Sequence, residues 1–196
     1  MTVEVRCVPA LTDEERRTFF GWGRNIFGAD DPHLKMRKAR WHVVIYEDDR
    51  PVCQMGIYPT TVKVGVRGLG IHQWRPRRLA RWIFKLVNLN TRSVRVAGAG
   101  GLVVPPSEQG LGYASMAGKY WIEFARDELH ADFGLLFSVR RLQALHTRYW
   151  GAKVIQSPVY FDQPSGKVLC PLIPMSISLT GKEWPSGIVD IDGLPW

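Results

Sequence analysis

The stretch best suited to chemistry runs from Leu102 to Ala114, where an apolar segment of Leu102, Val103 and Val104 passes through Pro105 and Pro106 into Gln109, Gly110, Leu111, Gly112, Tyr113 and Ala114. This is a strand meeting a glycine-rich helix start. The first backbone N–H groups of a helix have no partner inside it, and glycines let them approach a phosphate while the helix dipole favours negative charge. The spacing makes an anion-binding turn. Two familiar phosphate loops are excluded, since the P-loop needs Lys followed by Ser or Thr, and the dinucleotide fingerprint needs a third Gly or Ala where Ser115 stands. A helix that merely begins with glycines has the same local pattern, so the elements around it carry the decision.

Those elements read in a clear order. A strand at Val3 to Val8 leads to Thr12 and Glu15, a capping box that starts a helix expected to reach Phe27. Trp41 to Tyr46 and Val52 to Tyr58 read as a hairpin turning at Asp48, Asp49 and Arg50, and Thr60 to Val66 as a further strand. Val94 to Val104 is the apolar strand before the glycine turn, and Gly110 to Leu129 has helical length and spacing. Then come a buried strand at Asp132 to Ser138, a helix at Val139 to Tyr149, and two strands, Lys153 to Phe161 and Lys167 to Leu179, joined by a turn at Gln163 to Gly166. No repeat or linker interrupts this order, so residues 1–196 are read as one mixed α/β domain.

Gln109 to Ala114 satisfies the pattern Gln or Arg, two residues, Gly, one residue, Gly or Ala, and so resembles the acyl-CoA pyrophosphate loop of the GNAT (N-acetyltransferase) superfamily. The strand before it, the helix after it, the strand Asp132 to Ser138 and the helix leading to Trp150, Gly151 and Ala152 follow in that superfamily's order. Within it, the run from Val96 through Gly101 to Ala114, the strand Val168 to Leu179 and the sequence Trp184 to Gly187 look similar to the branch of the nodulation N-acyltransferase and the aminoglycoside 2′-N-acetyltransferases. The resemblance implies a mostly antiparallel sheet of about seven strands, splayed between two central parallel strands and flanked by helices. It implies an N-acyltransferase that moves an acetyl or longer acyl group from acetyl-CoA, another acyl-CoA or an acyl carrier protein to a small primary amine. Backbone N–H groups at Leu102, Val103 and Val104 would hold the pantetheine arm, and Gln109, Gly110, Leu111, Gly112, Tyr113 and Ala114 the pyrophosphate. Direct attack of an amine on a thioester calls for no metal.

The catalytic side chains depart from the family pattern. Many relatives carry a glutamate on the first splayed strand, but this strand reads Gly98, Ala99, Gly100, Gly101. The customary acid is a Tyr four residues before the Gly that ends the second helix, where Thr147 stands. Tyr149, two before Gly151, is the candidate, with His146 as competitor, and water is a third route for the proton. The small residues at Gly98 to Gly101 leave space for a larger acyl group or amine, or for a close strand contact.

Charge and composition add limits. From Pro51 to Pro106 there are nine basic residues and no acidic one, so the net charge of +8 belongs to this segment. Within it, residues 68–90 look like an insertion, a helix with Leu79, Trp82, Ile83, Leu86 and Val87 on one side and Arg77, Arg78, Arg81 and Lys85 opposite. With Arg75 this basic face is solvated, or offers a dock for an acidic carrier protein, an anionic membrane surface or the phosphates of coenzyme A. No nucleic-acid-binding motif accompanies it. The absence of an 18-residue apolar run and of a secretory leader reads as a cytoplasmic protein, and Cys7, Cys53 and Cys170 form no metal or disulfide pattern. A non-catalytic module binding a membrane or acidic partner is the alternative class. An antibiotic acetyltransferase is the alternative enzyme, with Asp190, Asp192 and Trp196 as candidates for an acidic acceptor cleft.

Overall fold

The computed structural model describes residues 2–21, 35–65 and 91–196. The expected basic helix at 68–90 and the part of the first helix toward Phe27 lie outside the described residues. The elements are β1 (Val3–Val8), α1 (Asp13–Phe20), β2 (Trp41–Glu47), β3 (Arg50–Gly65), β4 (Thr91–Val103), α2 (Tyr113–Asp127), β5 (Phe133–Ser138), α3 (Arg140–Trp150), β6 (Lys153–Val154), β7 (Val159–Gln163), β8 (Gly166–Leu169), β9 (Ile173–Ser178) and β10 (Ile188–Asp190). A turn of 3-10 helix at Pro106–Glu108 separates β4 from α2.

Local chemistry accounts for the starts and turns. Thr12 accepts from the Glu15 N–H at 3.2 Å, and the Glu15 carboxylate accepts from the Thr12 N–H at 2.6 Å, the reciprocal capping box that begins α1. Asp48 and Asp49, at φ +46° and +64°, form the two-residue turn between β2 and β3, the backbone a tight hairpin requires. Gly151, at φ +67°, ends α3.

The sheet runs β6-β9-β5-β4-β3-β10-β7-β8, and β2 pairs with β3 and with β1. Among the described residues it has ten strands rather than about seven. Prolines explain part of the difference. Pro158 separates β6 from β7 and Pro171 separates β8 from β9, because proline has no N–H for a ladder. Conversely, the strands expected on either side of Pro59 are, among the described residues, the single strand β3, which runs through Pro59 to Gly65. Pro59 lies between the last β2 pair at Ile57 and the first β10 pair at Lys63, where among the described residues the edge away from β4 has no partner strand. β4 and β5 are parallel, as are β10 and β7, and every other pair is antiparallel.

Both faces of the central strands are covered, so β4 and β5 are apolar on alternate residues in both directions. On one face Ala97, Ala99 and Leu136 pack with Tyr113, Ala117, Trp121 and Ala125 of α2 and Trp150 of α3. On the other, Val94, Val96, Phe133 and Leu135 pack with Val189, Ile191 and Trp196. The helices are registered through two indoles, Trp121 and Trp150, in edge contact at 6.1 Å between ring centroids. A β-carbon at Gly118 would lie 2.0 Å from the Trp150 indole, and one at Gly134 would lie 2.7 Å from the Trp121 ring. Each indole thus seats where a neighbour has no side chain. Gly118→Ala should destabilise the protein by about 1–3 kcal/mol through overpacking, read from urea unfolding; a change below about 0.5 kcal/mol would mean that Trp150 moves aside freely.

Candidate functional site

The parallel ladder between β4 and β5 runs from Val96–Phe133 to Ala99–Leu136 and stops, although β4 continues to Val103 and β5 to Ser138. At the same point β4 bulges. Gly56 pairs with Gly100 but Gln54 pairs with Val103, so β4 spends an extra residue, and Gly101 takes φ +61°. The buried Gln54 side chain holds the bulge by donating to the Gly101 carbonyl, while His42 Nδ1 lies 3.1 Å from its Oε1. The backbone from Gly100 to Val103 is therefore released from β5 and fixed by β3. A fork of this kind offers strand-edge donors to an extended ligand.

Beyond the fork, the chain forms the glycine turn. Gly110 and Gly112 take φ +86° and +88°, and a β-carbon at either would meet nothing within 4 Å, so the turn needs glycine for its backbone and is open to solvent. Gly112 caps α2 without a side-chain hydrogen bond. The N–H groups at the start of α2, from Tyr113 and Ala114, have no partner inside the helix. Gln109 turns back, donating to the Val104 carbonyl at 3.2 Å, so it braces the turn rather than reaching outward.

Both ends of this turn are tied to the β2–β3 hairpin. Glu108, buried, accepts from Arg50 at 2.8 Å and from Ser107 at 3.0 Å. Tyr113 donates its hydroxyl to Glu47, which pushes the phenol up to about 12, and Glu47 lies 3.5 Å from Arg50. Sequence reading missed this brace because Arg50 and Glu108 are far apart along the chain. Leu111, Met116, Val139 and Leu142, all exposed, sit at the start of α2 and α3, beyond the carboxyl ends of β4 and β5. Ligands of open α/β sheets bind at that end of the strands.

The two candidate catalytic residues stand in different settings. Tyr149 is 48% exposed at the end of α3, with the Arg148 guanidinium 5.5 Å from its ring centre. His146 is buried and stacked on Trp150 at 4.6 Å, and its Nδ1 has no hydrogen-bond partner among the described residues. Thr147, at the customary tyrosine position, gives its hydroxyl to the Ala152 carbonyl at 3.0 Å. The space expected beside Gly98 to Gly101 is filled by the Trp196 indole, which a β-carbon at Gly98 would approach to 2.4 Å. Asp192 pairs with Lys63 at 2.8 Å and Asp190 with Lys167 at 2.6 Å, so neither is a free anion for a cleft.

Burial lowers the His146 pKa below its ordinary 6.5, because the ring is desolvated as it charges. In the unfolded chain it takes a proton as pH falls through 6.5, while in the fold it stays neutral to lower pH. Stability from His146 is therefore present above pH 6.5 and lost progressively below it. His146→Phe should flatten the fall of unfolding free energy between pH 6.5 and 5, measured by urea titration at each pH; an unchanged slope would show that the ring charges in place.

No protein-family model matches the sequence, and no curated protein sequence matches it. Solved structures do match. One is a protein from Lactobacillus plantarum described as an N-acetyltransferase, 13% identical, with TM-score 0.53 over 91% of this chain and 99% of that chain. Escherichia coli ElaA is 10% identical, with TM-score 0.51 over 89% of this chain and 99% of that one. Eis1 from Mycobacterium abscessus is 12% identical, with TM-score 0.50 over 81% of this chain and 33% of the longer Eis1 chain. At these identities the likeness is one of fold, the mixed α/β architecture that this chain shares with the Lactobacillus plantarum protein and ElaA.

Proposed function

We propose that this protein is an N-acyltransferase that binds an acyl-CoA, acetyl-CoA in the first place, and transfers the acyl group to a small primary amine. The observation that carries the reading is the continuity of two backbone donor sets. The released edge of β4 at Gly100 to Val103 leads within one turn to the uncapped start of α2 at Gly112. A pantetheine arm would pair with the first as an added strand, and a pyrophosphate would rest on the second. Leu102, Val103 and Val104 serve the arm, and Gln109, Gly110, Leu111, Gly112, Tyr113 and Ala114 the pyrophosphate.

In this reading the neutral amine attacks the thioester carbonyl, a C–N bond forms, and the C–S bond breaks as the thiolate leaves. A backbone N–H of the β4 edge stabilises the oxyanion, which needs an aimed donor and no side-chain charge. With glycines at Gly98, Gly100 and Gly101 there is no carboxylate on this strand, so the ammonium proton passes to water. Tyr149 is the donor to the leaving thiolate, its exposed hydroxyl having no protein partner among the described residues. His146, buried against Trp150, is a packing residue.

The ion pairs at Asp190 and Asp192 speak against a polycationic antibiotic as acceptor. A carrier-protein donor or an anionic membrane would call on the basic residues near Arg75 to Lys85, which lie outside the described residues. Among the described residues no helix is long and apolar enough to cross a membrane. We place the reaction in the cytoplasm, where acyl-CoA is found.

Calorimetric titration with acetyl-CoA and free coenzyme A tests the donor site. Both should bind the wild-type protein. Gly112→Asp, adding negative charge where the pyrophosphate sits, should weaken acetyl-CoA at least about tenfold, near 1.4 kcal/mol. Gly112→Asn, neutral and tolerant of the left-handed backbone, should retain more affinity. Unchanged affinity in a folded Gly112→Asp protein would overturn the donor site.

A further inference from the structure

The strongest feature the donor reading leaves unused is the position of Trp196. Its indole lies flat along β4 on the face away from α2, where Gly98 and Gly100 have no side chains: β-carbons there would stand 2.4 Å and 2.9 Å from ring atoms. The ring N–H donates to the Ala99 carbonyl at 3.2 Å. Ala99 is the last residue of β4 paired with β5. The indole therefore sits at the vertex of the fork, on the carbonyl where the strands part.

Two aromatic side chains frame it. Tyr58 of β3 stacks at 5.8 Å and 18°, and Phe137, the β5 residue just past the last ladder pair, lies at 5.2 Å. The residue is only 7% exposed. The backbone leading to it is anchored from two sides. The Arg37 N–H donates to the Pro195 carbonyl at 2.7 Å, and the Asp162 N–H donates to the Gly193 carbonyl at 2.8 Å. Arg37 also places its guanidinium 6.0 Å from the ring centre. This is a fixed wall.

We propose that Trp196 sets the length of the acyl group, by closing the groove over Gly98 and Gly100 that a longer chain would enter from the fork. The inference rests on the acyl-transfer reading above. A thioester held on the β4 edge beyond Ala99 directs its acyl group toward the vertex. There the apolar groove that the two glycines would leave is already occupied by an indole. A short acyl group fits in front of the ring, and a chain of several methylenes meets it. Removing the ring opens an apolar slot floored by glycine backbone and walled by Tyr58 and Phe137.

The test compares free coenzyme A, acetyl-CoA and octanoyl-CoA by calorimetry on the wild-type protein, Trp196→Ala and Trp196→Phe. The wild type should bind octanoyl-CoA at least about tenfold more weakly than acetyl-CoA, since a filled pocket rejects added methylenes. In Trp196→Ala octanoyl-CoA should gain about tenfold or more relative to acetyl-CoA, a ratio that any change in coenzyme A binding common to both donors leaves unmoved. Trp196→Phe, which keeps an aromatic ring on the glycines, should shift the preference the same way by a smaller factor. It also decides the matter should Trp196→Ala not fold. Coenzyme A binding with a chain-length preference that neither variant moves would overturn this proposal and leave the donor site standing, as would a wild type that already favours octanoyl-CoA. Failure of free coenzyme A to bind any of the three would instead remove the donor site and this proposal with it.

Discussion

A parallel ladder normally continues as long as both strands do. Here it stops at Ala99–Leu136 while β4 and β5 run on, and most of what is specific to this protein follows from that break. Unpaired backbone is costly unless water or a ligand satisfies it. The break is therefore held open by structure elsewhere. An extra residue in β4 takes the strand out of step with β3, Gly101 supplies the backbone angle, and the buried Gln54 amide secures the displaced carbonyl. On the opposite face the Trp196 N–H takes the Ala99 carbonyl. The fork is specified from both sides.

The same strand feeds the glycine turn, so any error in the fork would propagate to the anion site. The brace through Glu47, Arg50, Glu108 and Tyr113 limits this by fixing the turn to a hairpin of the same sheet. Arg50 is partly exposed, and an exposed ion pair by itself contributes little. Its value here lies in geometry: it meets the buried Glu108, whose charge would otherwise be desolvated without compensation. The loop at the surface is thus held by a group beneath it.

What could be read from sequence was local. The capping box at Thr12, the turn at Asp48 and Asp49, and the helix stop at Gly151 each act within a few residues, and all stand where the pattern placed them. The glycine turn was legible for the same reason, since positive φ at Gly110 and Gly112 is a local demand on residue type. The strand breaks at Pro158 and Pro171 are also local, but the longer apolar runs that span them mask them in the pattern. By contrast, the partner of Gly98 and Gly100 lies nearly a hundred residues away, and a missing side chain does not say whether its space is empty or filled. His146 illustrates the converse. Its place on the helix offers it as a competitor to Tyr149, but the fold buries it in a stack on Trp150, four residues on.

The strand β10 has only three residues, yet it joins β3 to β7 and so attaches the β7–β8 hairpin to the rest of the sheet. Its sequence position, 188–190, comes after every other strand. During synthesis the Lys63–Gly65 edge of β3 therefore waits with its hydrogen-bonding groups unpaired until more than a hundred further residues have emerged. An open strand edge invites pairing with another chain, and late, non-local closure is intrinsically slow. The three residues of β10 are thus also a cover, occupying an edge of β3 on which a second chain could otherwise add a strand.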